Sequence, residues 1–402
     1  MIVISSDIIK RVLGSTKAVQ IGFSRWDDGD VYNLFHFNNT DGYTPGTITM
    51  MAADGKKVDP STGNDDDEVR VLILQKCSQF IQSDNSYELR GFVRQNGAWK
   101  PSPVQEIPVK DKIFSRLGGL LETDAIADKR VAIFGLGSGG SPIAIKLAKS
   151  GVFNFDFMEH DRLEVGNVTR HVAGISHVGR YKTHSMTDLI KEKNPYAVLR
   201  TWEEPVSWDN IDTVRKIIRR ADIVICAVDQ RPPKLIINRI CVEENIPCIF
   251  AGAFRRAYGG QILFVRPHKT LCYQCFLMSL PDQANDQEIA SRELAEGLAY
   301  TDRPVAIEPG LSNDIAPISQ MVVKLIIQEL LKGSSSTLSS LDEDLVAPWY
   351  LWLNRREADS PYADLEPLEF NIDGMHVLRW YGIAVEPHPD CPVCGDFEGQ
   401  MK

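Results

Sequence analysis

The sequence predicts an α/β protein, a doubly wound parallel sheet preceded by a smaller α+β domain. Three observations predict it. From about residue 130, short apolar runs alternate with amphipathic stretches of helical spacing, the pattern of parallel strands wrapped by helices. A glycine-rich turn, Gly135 to Gly140, joins the first of these strands to the first helix. Before residue 110 the apolar runs are brief and are split by Gly, Asp and Asn turns.

Length and composition set the outer limits. The chain has 402 residues, 43% hydrophobic and 24% charged. At about 100–200 residues per domain, two or three domains are expected. A disordered chain, a coiled coil and a small disulfide-stapled toxin are excluded. The net charge of −10 disfavours a phosphate-backbone binder, so no nucleic-acid partner is expected. No apolar window reaches about 18 residues, so no membrane partner is expected either. The start, MIVISSDIIKRVLG, carries Asp7 and lacks a small-residue cleavage site. It reads as a strand running into a helix rather than a signal peptide. Cytoplasmic localisation follows.

Residues 1–110 form the expected accessory domain. AVQIGF, YNLFHF, TITMMA and VRVLIL are its strand candidates, and PSTGNDDDE reads as a loop. His36, between Phe35 and Phe37, reads as a core or strand-face histidine. Nothing in this region announces chemistry.

Residues 111–332 carry the regular pattern. VAIFGL is a strand, PIAIKLAKSG a helix closed by Gly151, and VFNFDFME a second strand. A helix near 182–194 stops at Pro195. AVLRTW, WDNIDTVRKIIRRA, DIVICAVD, PKLIINRICVEEN and PCIFAG continue the alternation. GGQILFVRP reads as a strand, 276–311 as a loop-rich stretch, and SQMVVKLIIQELL as a helix. Residues 333–402 begin with GSSSTLSS, expected to be a flexible linker. Two strands, PWYLWLN and HVLRWYGIAV, precede a final cysteine pair.

Gly135, Gly137, Ser138, Gly139 and Gly140 lie where a strand meets a helix. Small residues there let the backbone approach a phosphate, and the helix N-terminus stabilises the anion, as in Rossmann-like folds. An acidic residue ending the second strand binds a ribose hydroxyl in such folds. Glu159 and Asp161 stand 19 and 21 residues beyond Gly140. Directly after them come Asn167, Arg170, Gly179 and Lys182. The order of this segment sets its Arg and Lys against polyphosphate rather than nicotinamide.

The order of these residues resembles the ThiF/MoeB/HesA superfamily, which includes the ubiquitin-activating enzymes, over about residues 111 to 395. Its pattern is a glycine turn, an Asp after the second strand, Asn-x-x-Arg, Gly-x-x-Lys and an Asp ending a later strand. Here these are Gly135 to Gly140, Asp161, Asn167 with Arg170, Gly179 with Lys182, and Asp229. FSRLGGL precedes the first strand, as an N-terminal Arg segment does in the family, making Arg116 the candidate that reaches the nucleotide. Two positions depart from the pattern: His171 replaces a frequent Gln, and Lys234 a frequent Arg.

The resemblance implies an adenylation domain using ATP and Mg²⁺. Its substrate would be the C-terminal carboxylate of a ubiquitin-like or sulfur-carrier protein in a bacterial conjugation or sulfur-transfer pathway, with pyrophosphate released. Lys182, Arg170 and Arg116 would neutralise the phosphates, Asp229 would hold Mg²⁺ and Asp161 the ribose. The implied partners are a homodimeric second copy and an acceptor, either conjugating-enzyme-like or a sulfurtransferase.

Four of the eight cysteines form two Cys-x-x-Cys units, Cys272 with Cys275 and Cys391 with Cys394. In a chain read as cytoplasmic, this spacing predicts a structural Zn²⁺ with four thiolate ligands and no open position. With 115 residues between Cys275 and Cys391, the metal would tie the chain end to the core. Cys226, Cys241 and Cys248 fall in regular elements and Cys77 in the first domain. A cysteine thioester is therefore not expected. An oxyester on Ser291 stays open, while Ser279, Ser291 and Thr301 read primarily as solvent hydroxyls.

Three other functions remain open. The glycine turn alone allows an NAD-dependent oxidoreductase, which leaves Arg170, Lys182, Asp229 and the cysteines unused. A degenerate, non-catalytic adenylation domain would not need its charged positions filled. Adenylation of a small peptide in a biosynthetic cluster would make residues 1–110 a peptide-recognition module.

Overall fold

A computed structural model describes residues 1–13, 15, 17–26, 31–35, 42–52, 64–75, 87–279, 310–358, 360–365, 368 and 374–395. The chain forms two compact units, Met1–Arg116 and Leu117–Lys402.

The first unit opens with β1 (Ile2–Ser5) and α1 (Ser6–Leu13). Then come β2 (Val19–Trp26), β3 (Val31–Leu34), β4 (Thr44–Ala52) and β5 (Val69–Gln75). β6 (Tyr87–Gln95), β7 (Ala98–Ser102), β8 (Val104–Ile107) and the short α2 (Val109–Lys112) complete it. The sheet order is β7-β6-β5-β4-β2-β3-β1-β8. α1 buries Ile8, Ile9 and Val12, one stripe at helical spacing, in the same core as Val69, Val71 and Ile73 of β5. The sheet curls until β6 meets β8. A Cβ on Gly91 would lie 2.5 Å from a Val104 methyl, and the Tyr87 hydroxyl bonds both Glu106 oxygens at 2.8 and 2.9 Å. The acidic stretch read as a loop contains a buried anchor. Asp67 accepts from Gln20 and Thr47 and pairs with Arg70, which stacks 4.4 Å from the Trp99 ring centroid.

The second unit is the doubly wound part. Its elements are α3 (Thr123–Ala127), β9 (Arg130–Phe134), α4 (Gly140–Lys149), β10 (Asn154–Met158), α5 (Lys182–Lys193) and β11 (Val198–Trp202). They continue with α6 (Ile211–Arg219), β12 (Ile223–Cys226), α7 (Arg231–Glu243), β13 (Cys248–Ala253) and β14 (Gly259–Val265). α8 (Tyr273–Ser279), a long helix Ser312–Leu330, β15 (Trp349–Leu353) and β16 (Arg379–Ile383) close it. The sheet order is β11-β10-β9-β12-β13-β14-β15-β16.

Alternate residues of the central strands feed two cores. Val131, Ile133, Phe155, Phe157, Ile223 and Ile225 pack with α4, α5 and the long helix. Ala132, Phe134, Met158, Val224 and Cys226 pack with α6, α7 and α8. Both faces of each strand are buried, which is why these segments read as continuous apolar runs.

Three expectations are corrected. The sheet is not wholly parallel: β14, β15 and β16 are antiparallel. Only residues 254–258 separate β13 from β14, too few for a crossover helix, so the chain turns back as a hairpin. The 276–311 stretch starts as helix, since α8 runs to Ser279, whose hydroxyl bonds the Cys275 carbonyl at 2.9 Å. Residues 333–340 do not behave as a loose linker. Ser336 donates to Glu122 at 2.9 Å, and Thr337 donates from its amide to Glu122 and from its hydroxyl to Leu120. These bonds pin the turn and lower the Glu122 pKa. Among the described residues, no helix is long and apolar enough to cross a membrane.

Candidate active site

Strand register brings the candidate residues to one edge. Phe134 of β9 pairs with Met158 of β10 on one side and Cys226 of β12 on the other. The three strands therefore end level, and residues 135–140, 159–161 and 227–229 emerge together. From β9 the chain winds outward through β10 and β11, then returns to build β12 and β13 on the opposite side. The crevice between β9 and β12 is the switch point where open α/β sheets bind ligands.

The glycines there divide into two roles. Gly135 has φ +90°, and a Cβ on it would meet the Ala227 carbonyl at 2.8 Å. A Cβ on Gly140 would stand 2.0 Å from the Gly135 oxygen. These two make the turn possible. A Cβ on Gly137 or Gly139 would meet nothing within 4 Å, and Gly139 lines the crevice. Ser138, Gly139, Asp229, Lys234 and Ser319 all line an open cleft at this point.

The acidic side is held by a network. Buried Glu159 accepts from the amides of Leu136 at 2.9 Å and Asp161 at 3.0 Å, tying the glycine turn to the end of β10. Asp161 keeps its carboxylate half exposed and accepts from the Lys182 ammonium at 2.7 Å. Lys182 is buried and 3.9 Å from Glu159. Its position is fixed by an antiparallel bridge of Arg162 to Tyr181 and by the Arg162 guanidinium stacked 3.8 Å from the Tyr181 ring centroid. The departure at His171 has a structural account. Its Nδ1 accepts from the Ala173 amide, which leaves Nε2 to carry the proton and donate to the Leu136 carbonyl at 2.9 Å. Burial pushes its pKa down to about 4, so the ring is neutral.

The remaining sequence candidates fall as follows. Asn167 accepts from the Glu164 amide and caps the turn Val165–Asn167. Arg170 is half-buried. Asp229 is exposed and lines the cleft just after β12. Lys234 is buried beside it, 5.9 Å from the Tyr273 ring centroid. Arg116 is exposed on the turn Ser115–Leu117, as the last residue of the first unit. His36, Cys77, Ser291 and Thr301 lie outside the described residues. Ser319 was not singled out from sequence, because a serine inside an apolar helical stretch carries no motif. Arg162 and Tyr181 were equally silent, being a surface charge and an aromatic until the chain folds back.

The four paired cysteines converge although they are far apart in sequence. The Sγ separations are 3.8 Å for Cys272 to Cys275, 3.6 Å for Cys272 to Cys391 and 3.2 Å for Cys275 to Cys394. None is bonded as a disulfide. Thiolates about 2.3 Å from a tetrahedral ion stand about 3.8 Å apart, so the donor set and spacing fit such a metal. Gly395 shapes the second turn, where a Cβ would meet the Pro389 oxygen at 2.4 Å. Hydrogen bonding from Cys272 lowers the Cys275 thiol below its usual range, favouring a thiolate within the cluster.

The ThiF family pattern matches residues 110–359. Ubiquitin-like modifier-activating enzyme 5 of Caenorhabditis elegans is 28% identical over 170 residues, 40% of this chain and 41% of that protein. The same-named protein of Drosophila willistoni is 23% identical over 242 residues, 56% and 60% of the two chains. The chain thus spans about half the length of the curated relatives it matches. The crystal structure of E. coli MccB with succinimide has a TM-score of 0.50 at 17% identity, over 72% of this chain and 77% of that one, a likeness of fold. Since the family match takes in well over half of the 402 residues, this chain belongs to the ThiF family.

Proposed function

We propose that this chain adenylates the C-terminal carboxylate of a ubiquitin-like or sulfur-carrier protein, using ATP and Mg²⁺. The observation that carries the reading is the meeting of the glycine turn, Asp161 with Lys182, and Asp229 at the ends of three level strands. The curated relatives are named as ubiquitin-like modifier-activating enzymes, which supports the substrate class.

The chemistry needs few proton transfers. A carboxylate oxygen attacks the α-phosphorus of ATP, and the bond from that phosphorus to the bridging oxygen breaks. The products are an acyl adenylate and pyrophosphate. Both reactants are anionic, so the protein's work is charge neutralisation and alignment. Lys182 and Arg170 would meet the phosphates. Asp161 would hold the ribose. Asp229, an exposed carboxylate at the cleft, suits Mg²⁺, a hard cation that neutralises phosphate charge when bound. A structural Zn²⁺ at Cys272, Cys275, Cys391 and Cys394 would have no open position and take no part in the reaction. A homodimer and a downstream acceptor complete the reading.

A nicotinamide function would leave Lys182 and Asp229 without a task. The test is equilibrium binding of MgATP and of NAD⁺ to the purified chain. MgATP binding that weakens in Lys182→Ala supports the proposal. NAD⁺ binding without MgATP binding overturns it.

A further inference from the structure

Anion cradles at helix N-termini are built from N–H groups, yet every peptide that offers an N–H also carries a carbonyl. Fixing that carbonyl fixes the direction in which the N–H points. In the glycine turn, Gly139 lines the cleft and stands immediately before α4. As the residue before α4, Gly139 offers its carbonyl to the helix rather than to the cleft. Ser319, 1% exposed and 180 residues away in sequence, donates its hydroxyl to the Gly139 oxygen at 3.2 Å.

The donor is held firmly. Ser319 sits in the long helix Ser312–Leu330, whose preceding residue, Ile318, presses on β14 where Gly260 leaves room. A Cβ on Gly260 would stand 2.1 Å from the Ile318 Cδ1 atom. The helix start is tied to Arg355 by Asp314 at 2.9 Å. Ile315 and Ile318 line the same cleft, so Ser319 is the hydroxyl in an otherwise apolar helix wall. Packing alone does not call for a hydroxyl at this position.

We propose that Ser319 is a positioning residue for the nucleotide phosphates. By engaging the Gly139 oxygen, it holds the Gly139–Gly140 peptide, and with it the Gly140 N–H, in one orientation at the head of α4. The inference rests on the nucleotide reading of the cleft given above. It makes the long helix a wall of the phosphate site as well as of the hydrophobic core.

The test is equilibrium binding of MgATP and of adenosine to the wild-type chain, Ser319→Ala and Ser319→Thr. Ser319→Ala is expected to bind MgATP about 3- to 10-fold more weakly, the worth of one hydrogen bond, and adenosine unchanged. Ser319→Thr, which keeps the hydroxyl, is expected to recover most of the loss. A purely structural serine would weaken both ligands alike, and that result overturns the role. Equal MgATP binding by wild type and Ser319→Ala also overturns it and leaves the nucleotide site standing. A wild-type chain that binds no MgATP overturns the nucleotide reading itself, and this role with it.

Discussion

The Lys182 ammonium lies 2.7 Å from the Asp161 carboxylate, joining the start of α5 to the end of β10. The pair is asymmetric. The lysine side chain is 9% exposed and the carboxylate 53%. The buried cation lies between two carboxylates, Asp161 at 2.7 Å and Glu159 at 3.9 Å, of which Asp161 faces solvent. Replacing Lys182 with Ala is expected to lower ATP–pyrophosphate exchange by about 10²–10³-fold, the usual cost of removing one transition-state charge partner. Lys182→Arg should keep part of the activity. Exchange kinetics on both variants check this.

Asp229 is the carboxylate placed on the cleft after β12. Asp229→Ala is expected to abolish Mg²⁺-dependent exchange, and raising the Mg²⁺ concentration should not restore it. Full exchange in that variant would remove the magnesium role.

The cysteine cluster predicts one Zn²⁺ per chain, measurable by metal analysis of protein purified with its thiols reduced. Cys391→Ser should lower both the zinc content and the melting temperature, because metal binding is coupled to folding. Cys391 is fully buried, and its partners come from a distant segment, so the loss would loosen the chain end from α8.

His171 predicts a pH dependence. Its folded pKa of about 4 lies below the ordinary value of 6.5 because burial disfavours the cation. Between these values the unfolded chain binds more protons than the folded one, so stability rises with pH. The contribution is complete above about 6.5 and is lost as pH falls toward 4. Comparing melting temperatures across this window for wild type and His171→Gln isolates it. The variant should show a flatter profile, and identical slopes would refute the assignment.

No cysteine thioester is expected among the described residues. Cys226, Cys241 and Cys248 are fully buried, and burial raises the Cys248 thiol well above its usual range. The paired cysteines are committed to their cluster. Enzyme, substrate protein and MgATP run on a denaturing gel should show no adduct that a thiol reductant cleaves. A reductant-sensitive adduct would be decisive against this.

The sequence by itself determined the alternation of strands and helices, the glycine turn and the two Cys-x-x-Cys units. These are local: apolar periodicity, glycine stereochemistry and ligand spacing act within a few residues. Tertiary structure decided the rest, because it depends on which distant segments meet. The antiparallel end of the sheet followed from a short connection whose consequence shows only when β14 folds back on β13. Asp67 became a buried anchor because Gln20 and Thr47 reached it. Ser319 reached the glycine turn across 180 residues, and the two cysteine pairs met across a gap of similar kind. The serine-rich stretch at 333–340 looked flexible because hydroxyls favour water until Glu122 and Leu120 are brought within reach. Periodicity records which face of an element is apolar, and only packing selects what that face meets.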